Sequence, residues 1–277
     1  VQFPGLGLEF TLDRVAFTVF GMPIYWYGIL IATGLALAIV FAFSHARRFG
    51  IDSDRMVDVI LIGTVFTPKH IAALKKGRVP AVVVGQQLAG VSCVYHDDYH
   101  ALYDMTKLLL DRGCRRLGYL GALPQDRAVG QERARAYADA VRDAGLEPQA
   151  AHTVVADFTI ASGYGKAGEL WEAHGPLDAL VCATDAMAVG ALQYLKGRGV
   201  RVPEDVLLTG QGGSDLCRVT TPAITTIRYF YEESGASAAD LLLERLENPE
   251  APVKEVKLGY AIVESESTGG PGAARLI

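Results

Sequence analysis

From Val15 to Ser44 the chain contains no Asp, Glu, Lys, Arg or His. The densest part of this run is IYWYGILIATGLALAIVFAF, residues 24–43. A helix crossing a bilayer core needs roughly 20 apolar residues, so a transmembrane helix is expected at about 24–44. Tyr25, Trp26 and Tyr27 cluster at its start, where interfacial aromatics sit, and Arg47 and Arg48 follow its end. Positive residues favour the cytoplasmic side. The expected location is therefore the inner (cytoplasmic) membrane, with the rest of the chain in the cytoplasm. A cleaved signal peptide is disfavoured, because Glu9 and Asp13 precede the run where a basic segment should stand.

A second apolar stretch, Met56 to Phe66, is too short to span as a helix and contains Asp58. Its length and β-branched content suit a buried strand over 59–66. From Thr67 onward the charge is ordinary, with 22 basic and 26 acidic residues. The whole chain has a net charge of −5, which leaves no bulk basic footprint for nucleic acid. Cys93, Cys114, Cys182 and Cys217 share no close spacing, which excludes a CxxC metal site and a disulfide-dense scaffold. Apolar strand patterns at 79–84, 91–95, 116–120, 152–158, 179–183 and 206–209 alternate with helical patterns at 68–76, 98–112, 129–144, 161–173 and 185–196. Gly210 to Gly213 reads as a turn after the last of these strands. This alternation implies an α/β fold built from parallel βαβ units.

In such sheets ligands bind beyond the carboxyl ends of the strands. The residues there are Gln86, Arg133 on the following helix, Asp157 and Phe158, Thr184 and Asp185, and Gln211, Ser214 and Asp215. Short polar groups, one guanidinium fork and one aromatic ring form the mixture that a sugar requires: paired donors and acceptors for vicinal hydroxyls, and a ring for its apolar face. The candidate ligand set is Gln86, Arg133, Phe158, Thr184, Asp185, Gln211 and Asp215. Taken singly, Asp185 is more often a helix cap than a ligand contact, Arg133 is by default a solvated arginine and Phe158 is by default core. No GxSxG, GxxxxGK[ST] or HExxH occurs, and GQGG lacks dinucleotide-site spacing. His96 and His100 are four apart, but Asp97 and Asp98 place the start of a helix between them. No catalytic residue, metal site or cofactor is expected.

Two resemblances divide the chain. Residues 1–66, with PGLGLEF, IYWYG and ARRFGID, resemble the start of prolipoprotein diacylglyceryl transferase. That family implies a polytopic membrane enzyme of lipoprotein biosynthesis, with Tyr27 at a functionally important position. Its histidine motif and later arginines have no counterpart here. From about Val65 to Thr268 the chain resembles the effector domain of LacI/GalR-type transcriptional regulators. The motifs that carry this are FTPKHIAAL, VPAVVVGQ, RRLGYLG, AVGQERARAYADAV, ATDAMAVGALQYLKGRGVRVPEDVLLTGQGGSDL, TPAITTIRYFYEESG and EST at 266–268. The resemblance implies a periplasmic-binding-protein-like (type I) pair of α/β subdomains that closes on a sugar or related effector.

By motif, Arg133 matches the family's sugar-contacting arginine and Phe158 stands in place of its aromatic platform. Thr184 sits where many members have Asn, and Gly212 to Asp215 replace a more acidic loop. The implied organisation is a membrane segment at 1–66, a truncated amino-terminal subdomain at 67–113, a carboxyl-terminal subdomain at 114–268 and a tail at 269–277. Homodimerisation is implied by the family. No helix-turn-helix or hinge helix is legible, so direct DNA binding is not expected. The two patterns share the stretch DVILIGTVFT at 58–67, which marks a chimeric join. Three readings stay open: a sugar-effector module of a LacI-type regulator, a remnant of the transferase, and a fusion without function.

Overall fold

The computed structural model describes residues 66–76, 80–148 and 152–270 in full, together with the strand backbones at 2–3, 8–9, 15–19, 22–25 and 59–62 and the single residue Leu37. The chain divides into two compact units, 1–58 and 59–277. In the first, β1 (Gln2–Phe3) pairs antiparallel with β2 (Leu8–Glu9), and β3 (Val15–Val19) pairs antiparallel with β4 (Met22–Tyr25). The expected transmembrane helix meets a correction at its start: Ile24 and Tyr25 belong to β4, where Ile24 pairs with Phe17 and Tyr25 with Val15. β-branched and aromatic residues fit an extended pair of this kind. Most of 24–44, including Tyr27, lies outside the described residues. Among the described residues no helix is long and apolar enough to cross a membrane.

The second unit contains two sheets. In the first, β5 (Val59–Ile62), β6 (Ala81–Val84), β7 (Ser92–His96) and β13 (Glu255–Leu258) run parallel in the order β13-β7-β6-β5. The second has the order β14-β12-β11-β10-β8-β9. Its strands are β8 (Leu117–Gly121), β9 (Thr153–Val155), β10 (Ala179–Cys182), β11 (Leu207–Gly212), β12 (Thr225–Tyr229) and β14 (Tyr260–Val263). All pairs in this sheet are parallel except β12 with β14. Central strands such as β10 are buried along their whole length, which is why they read in the sequence as continuous apolar runs and not as alternating ones.

The helices are α1 (Pro68–Lys76), α2 (Asp98–Asp111), α3 (Arg133–Asp143), α4 (Ile160–His174), α5 (Asp185–Gly197), the short α6 (Leu216–Val219) and α7 (Tyr231–Glu247). The expected division at residue 114 does not follow the sheets. Helix α2 packs on α3 and beside β11, β12 and β14, whereas α7 packs on β6 and β7, and β13 lies beside β7. The chain thus passes from one sheet to the other after β7, after β12 and after β13. The cause is hydrophobic: Ala238 and Leu241 of α7 bury against Val82 and Val94, while Leu102, Met105 and Leu109 of α2 join the core around Tyr119 and Leu180.

Three local expectations also change. The helix expected from 129 begins instead as a π-helical turn, Arg127–Glu132, capped by Asp126, whose side chain accepts from the Val129 N–H. Within this turn a Cβ on Gly130 would lie 1.9 Å from the Leu123 carbonyl oxygen, so the position has room only for glycine. The expected strand 152–158 contracts to β9. Gly210 to Gly212, expected as a turn, extend β11, because they pair with Thr226 to Arg228 of β12.

Helices α4 and α5 touch backbone to backbone. A Cβ would meet the Met187 carbonyl oxygen at 2.5 Å from Gly163, and that of Ile160 at 2.1 Å from Gly190. Overpacking of a close-packed contact costs about 1–3 kcal/mol. The substitution Gly190→Ala is therefore expected to lower the midpoint of urea unfolding by a corresponding amount. Gly165→Ala on the same helix pair, where a Cβ meets nothing within 4 Å, is expected to leave the midpoint unchanged or raise it.

Candidate functional site

The carboxyl ends of β7, β10, β11 and β12 converge on one buried polar cluster. Asp97 caps α2 by accepting from the His100 N–H, which places Asp98 in the first turn with its carboxylate turned inward. Asp98 is 7% exposed. Its Oδ1 accepts from Arg133 Nε at 2.8 Å, from Arg133 Nη2 at 2.6 Å and from the Tyr229 hydroxyl at 2.8 Å. Arg133 Nη1 donates to the Ala183 carbonyl at the end of β10, and its guanidinium lies 5.6 Å from the centre of the Tyr229 ring. The Tyr229 hydroxyl in turn accepts from Gln211 Nε2. The ring of His96, the last residue of β7, sits 4.5 Å from that of Tyr229.

Burial works against the charge on Arg133, but the oxygens of Tyr229 and Asp98 outweigh it and raise its pKa further. Burial also pushes the Tyr229 hydroxyl up, so that it stays protonated and can donate to Asp98. His96 is held down by burial, against the pull of Asp98 and of a hydrogen bond to the Phe230 backbone. Two buried polar atoms here have no partner among the described residues: Gln211 Oε1 and His96 Nε2.

Asp185, at the start of α5, is 4% exposed. Its Oδ1 accepts from the Thr226 hydroxyl at 2.5 Å, and its Oδ2 from the Ser214 N–H at 2.6 Å. Burial raises its pKa in spite of these bonds. Thr184 caps α5 by accepting from the Met187 N–H.

Two cavities flank the π-helical turn. The larger, about 550 Å³, is lined by Val129, Arg133, Thr184, Asp185, Gln211 and Tyr231, and by the loop from Gly212 to Leu216. The smaller, about 270 Å³, holds Gln86, His96, Asp98, Arg127 and Glu132. Of the residues proposed from sequence, Arg133, Thr184, Asp185, Gln211 and Asp215 share the larger cavity and Gln86 lines the smaller. Phe158 is 45% exposed and lines neither. Asp215 stands out in solvent, 3.6 Å from Arg218. Sequence reasoning set Asp98 at the start of a helix, weighed His96 only as a metal ligand, and passed over Tyr229 and Tyr231. The alternation of the TTIRYFY segment held the signal, since it puts Tyr229 at the inner end of a strand and Tyr231 at the head of the next helix. Among the described residues no group of His, Cys, Asp and Glu could hold a metal ion.

Paired α/β sheets exchanging three crossovers, with a polar cluster where their strands end, define a periplasmic-binding-protein-like effector fold. The profile of the periplasmic binding protein-like domain matches residues 106–268. The HTH-type transcriptional regulator CelR of Thermobifida fusca is 31% identical over 243 residues, 82% of this chain and 71% of that protein. The sucrose operon repressor of Staphylococcus xylosus is 26% identical over 69% of this chain, which spans 58% of that repressor's length. The chain belongs to the periplasmic-binding-protein-like domain family, in its branch of LacI-type transcriptional regulators; these relatives are regulators and not enzymes. A solved transcriptional regulator CelR–cellobiose complex superposes with a TM-score of 0.71 at 29% identity, covering 76% of this chain and 65% of the other. A LacI-family regulator from Sanguibacter keddieii superposes with 0.69 at 28% identity, covering 77% and 80%. A second profile, that of prolipoprotein diacylglyceryl transferase, matches residues 14–83 and so reaches into β5 and β6 of the parallel sheet.

Removing one partner of a buried ion pair strands the other charge, at a cost of about 3–5 kcal/mol. Asp98→Ala is expected to lose stability of that size in chemical denaturation. A pH effect is expected from His96. Its folded pKa lies below the unfolded value of about 6.5, so its contribution is complete above that pH and is lost as pH falls below it. His152, also lowered by burial, adds to the same slope. Thermal unfolding from pH 7.5 to 5.5 should show the decline, and His96→Gln should flatten it in part.

Proposed function

We propose that residues 59–270 form a small-molecule receptor module of LacI-type regulation that takes a carbohydrate effector in the cavity lined by Arg133, Asp185, Gln211 and Tyr231. The observation that carries this reading is the convergence of a buried guanidinium, a buried carboxylate and an amide with a spare acceptor on one open cavity of about 550 Å³. Arg133 supplies N–H donors beyond those taken by Asp98 and Ala183, and Gln211 Oε1 supplies an unmet acceptor for a sugar hydroxyl. Asp185 orders the rim loop through the Ser214 N–H. Tyr231, 60% exposed on the cavity and edge-on to His96 at 5.4 Å, offers the ring face that Phe158 was expected to give. Support also comes from the relative solved with cellobiose.

Cellobiose is the first ligand to test. A saturable thermal shift with cellobiose, weakened at least tenfold by Tyr231→Ala and removed by Gln211→Ala, is the expected outcome. No shift with any mono- or disaccharide would overturn the reading. Homodimerisation belongs to the same proposal.

The uncharged run at 15–44 and the transferase-profile match favour a second element, a membrane anchor within 26–44, after β4, with the receptor module on the cytoplasmic side. The full chain is then expected in the membrane fraction after alkaline carbonate washing. Complete release by carbonate would refute the anchor and leave the receptor reading untouched. Transferase activity is not part of the proposal.

A further inference from the structure

Behind the loop that closes the effector cavity lies another pocket, of about 230 Å³, lined by Ser214, Cys217, Arg218, Ile224, Arg228 and Val263 among others. We infer that this pocket binds a compact organic anion, a carboxylate or phosphate ester with an apolar body, held by Arg218 and Arg228. Its lining contains no carboxylate. Arg228 has no carboxylate partner among the described residues; its guanidinium lies only over the Phe230 ring, at 5.8 Å. Arg218 has one loose contact, 3.6 Å from a carboxylate of Asp215 whose side chain is 88% exposed. Such an exposed pair contributes little and is readily exchanged. Two guanidinium forks without firm partners on one concave wall suit an oxyanion in paired geometry. Ile224 and Val263 face the same space and suit an apolar body.

The wall is rigid. Gly213 has φ +71°, and a Cβ there would lie 2.9 Å from the Arg228 Cα. The loop is therefore pressed onto β12, and Arg228 is set directly beside it. The Gly213 N–H donates to the Thr226 hydroxyl at 3.2 Å, and that hydroxyl donates to Asp185. Gly213 and Ser214 line both this pocket and the effector cavity. An anion bound behind the loop would therefore hold the segment that forms the rim in front. This inference stands apart from the carbohydrate reading and does not depend on it.

The full chain, in detergent if it is membrane-bound, is titrated with sodium benzoate and separately with inorganic phosphate at constant ionic strength. Binding is followed by calorimetry and by thermal shift. Saturable binding of at least one probe is expected, with benzoate alone pointing to carboxylate ligands and phosphate alone to phosphate esters. Arg228→Gln should weaken binding at least tenfold, Arg228→Lys should restore part of it, and Arg218→Gln should weaken it independently. Each variant should keep the unfolding temperature of the parent in the absence of anion. Absence of saturable binding by both probes would overturn the inference, as would equal affinity in Arg228→Gln and the parent. Cellobiose binding is measured alongside: its failure with anion binding intact would count only against the carbohydrate reading.

Discussion

The pair between Asp98 and Arg133 is the interaction on which the rest of the effector unit depends. Arg133 leads helix α3, which packs with the six-stranded sheet, while Asp98 is the first turn after a strand of the four-stranded sheet. Their bond ties the end of β7 to the π-helical turn, and Tyr229 adds the end of β12 through the same carboxylate oxygen. A buried pair of this kind is weak evidence of stability, because desolvation offsets much of the attraction. What it does supply is registry. With three donors on one oxygen and a guanidinium also held by Ala183, few other arrangements of the sheets satisfy every group. The remaining unmet atoms, Gln211 Oε1 and His96 Nε2, then lie at a defined junction. In a protein interior such atoms are uncommon, and each calls for an explanation.

Much of the strand and helix order was legible because buried parallel strands announce themselves as short apolar runs. ALVC at β10 and AVVV at β6 are examples, and both emerge within two residues of their expected limits. The cap at Asp97 was legible too, since it stands directly before an amphipathic stretch, whereas the cap expected at Asp185 falls one residue earlier, on Thr184. What periodicity could not reveal was assignment to a sheet. Nothing local in YEESGASAADLLLERLE states that α7 covers β6 and not β11; only the fit of Ala238 and Leu241 onto Val82 and Val94 decides it. The π-helical turn was hidden for a similar reason. It goes with a close approach of the Leu123 carbonyl to Gly130, a contact between loop backbone and helix backbone that no local pattern shows.

At the site, sequence reasoning selected residues by their position after strands, and several of these fell on one cavity. Phe158 did not, because β9 ends at Val155 and the following segment turns outward before α4. Asp98 escaped notice because a carboxylate at the start of a helix has an ordinary use as a cap, and Asp97 beside it takes that use. Tyr229 and Tyr231 lie in a run of aromatics whose alternation is plain, but their role depends on crossing to the opposite sheet between them.

That crossing, with the two others, has a consequence for dissecting the protein. Each sheet receives material from chain segments far apart in sequence: β13 joins β7 across more than half of the effector unit, and α2 belongs with strands that follow it. No single cut yields a self-contained lobe. A fragment ending near residue 113 would keep β6 and β7 but lose the helix that covers them, and one starting there would lose α2 from beneath its own sheet. The unit is woven, not concatenated.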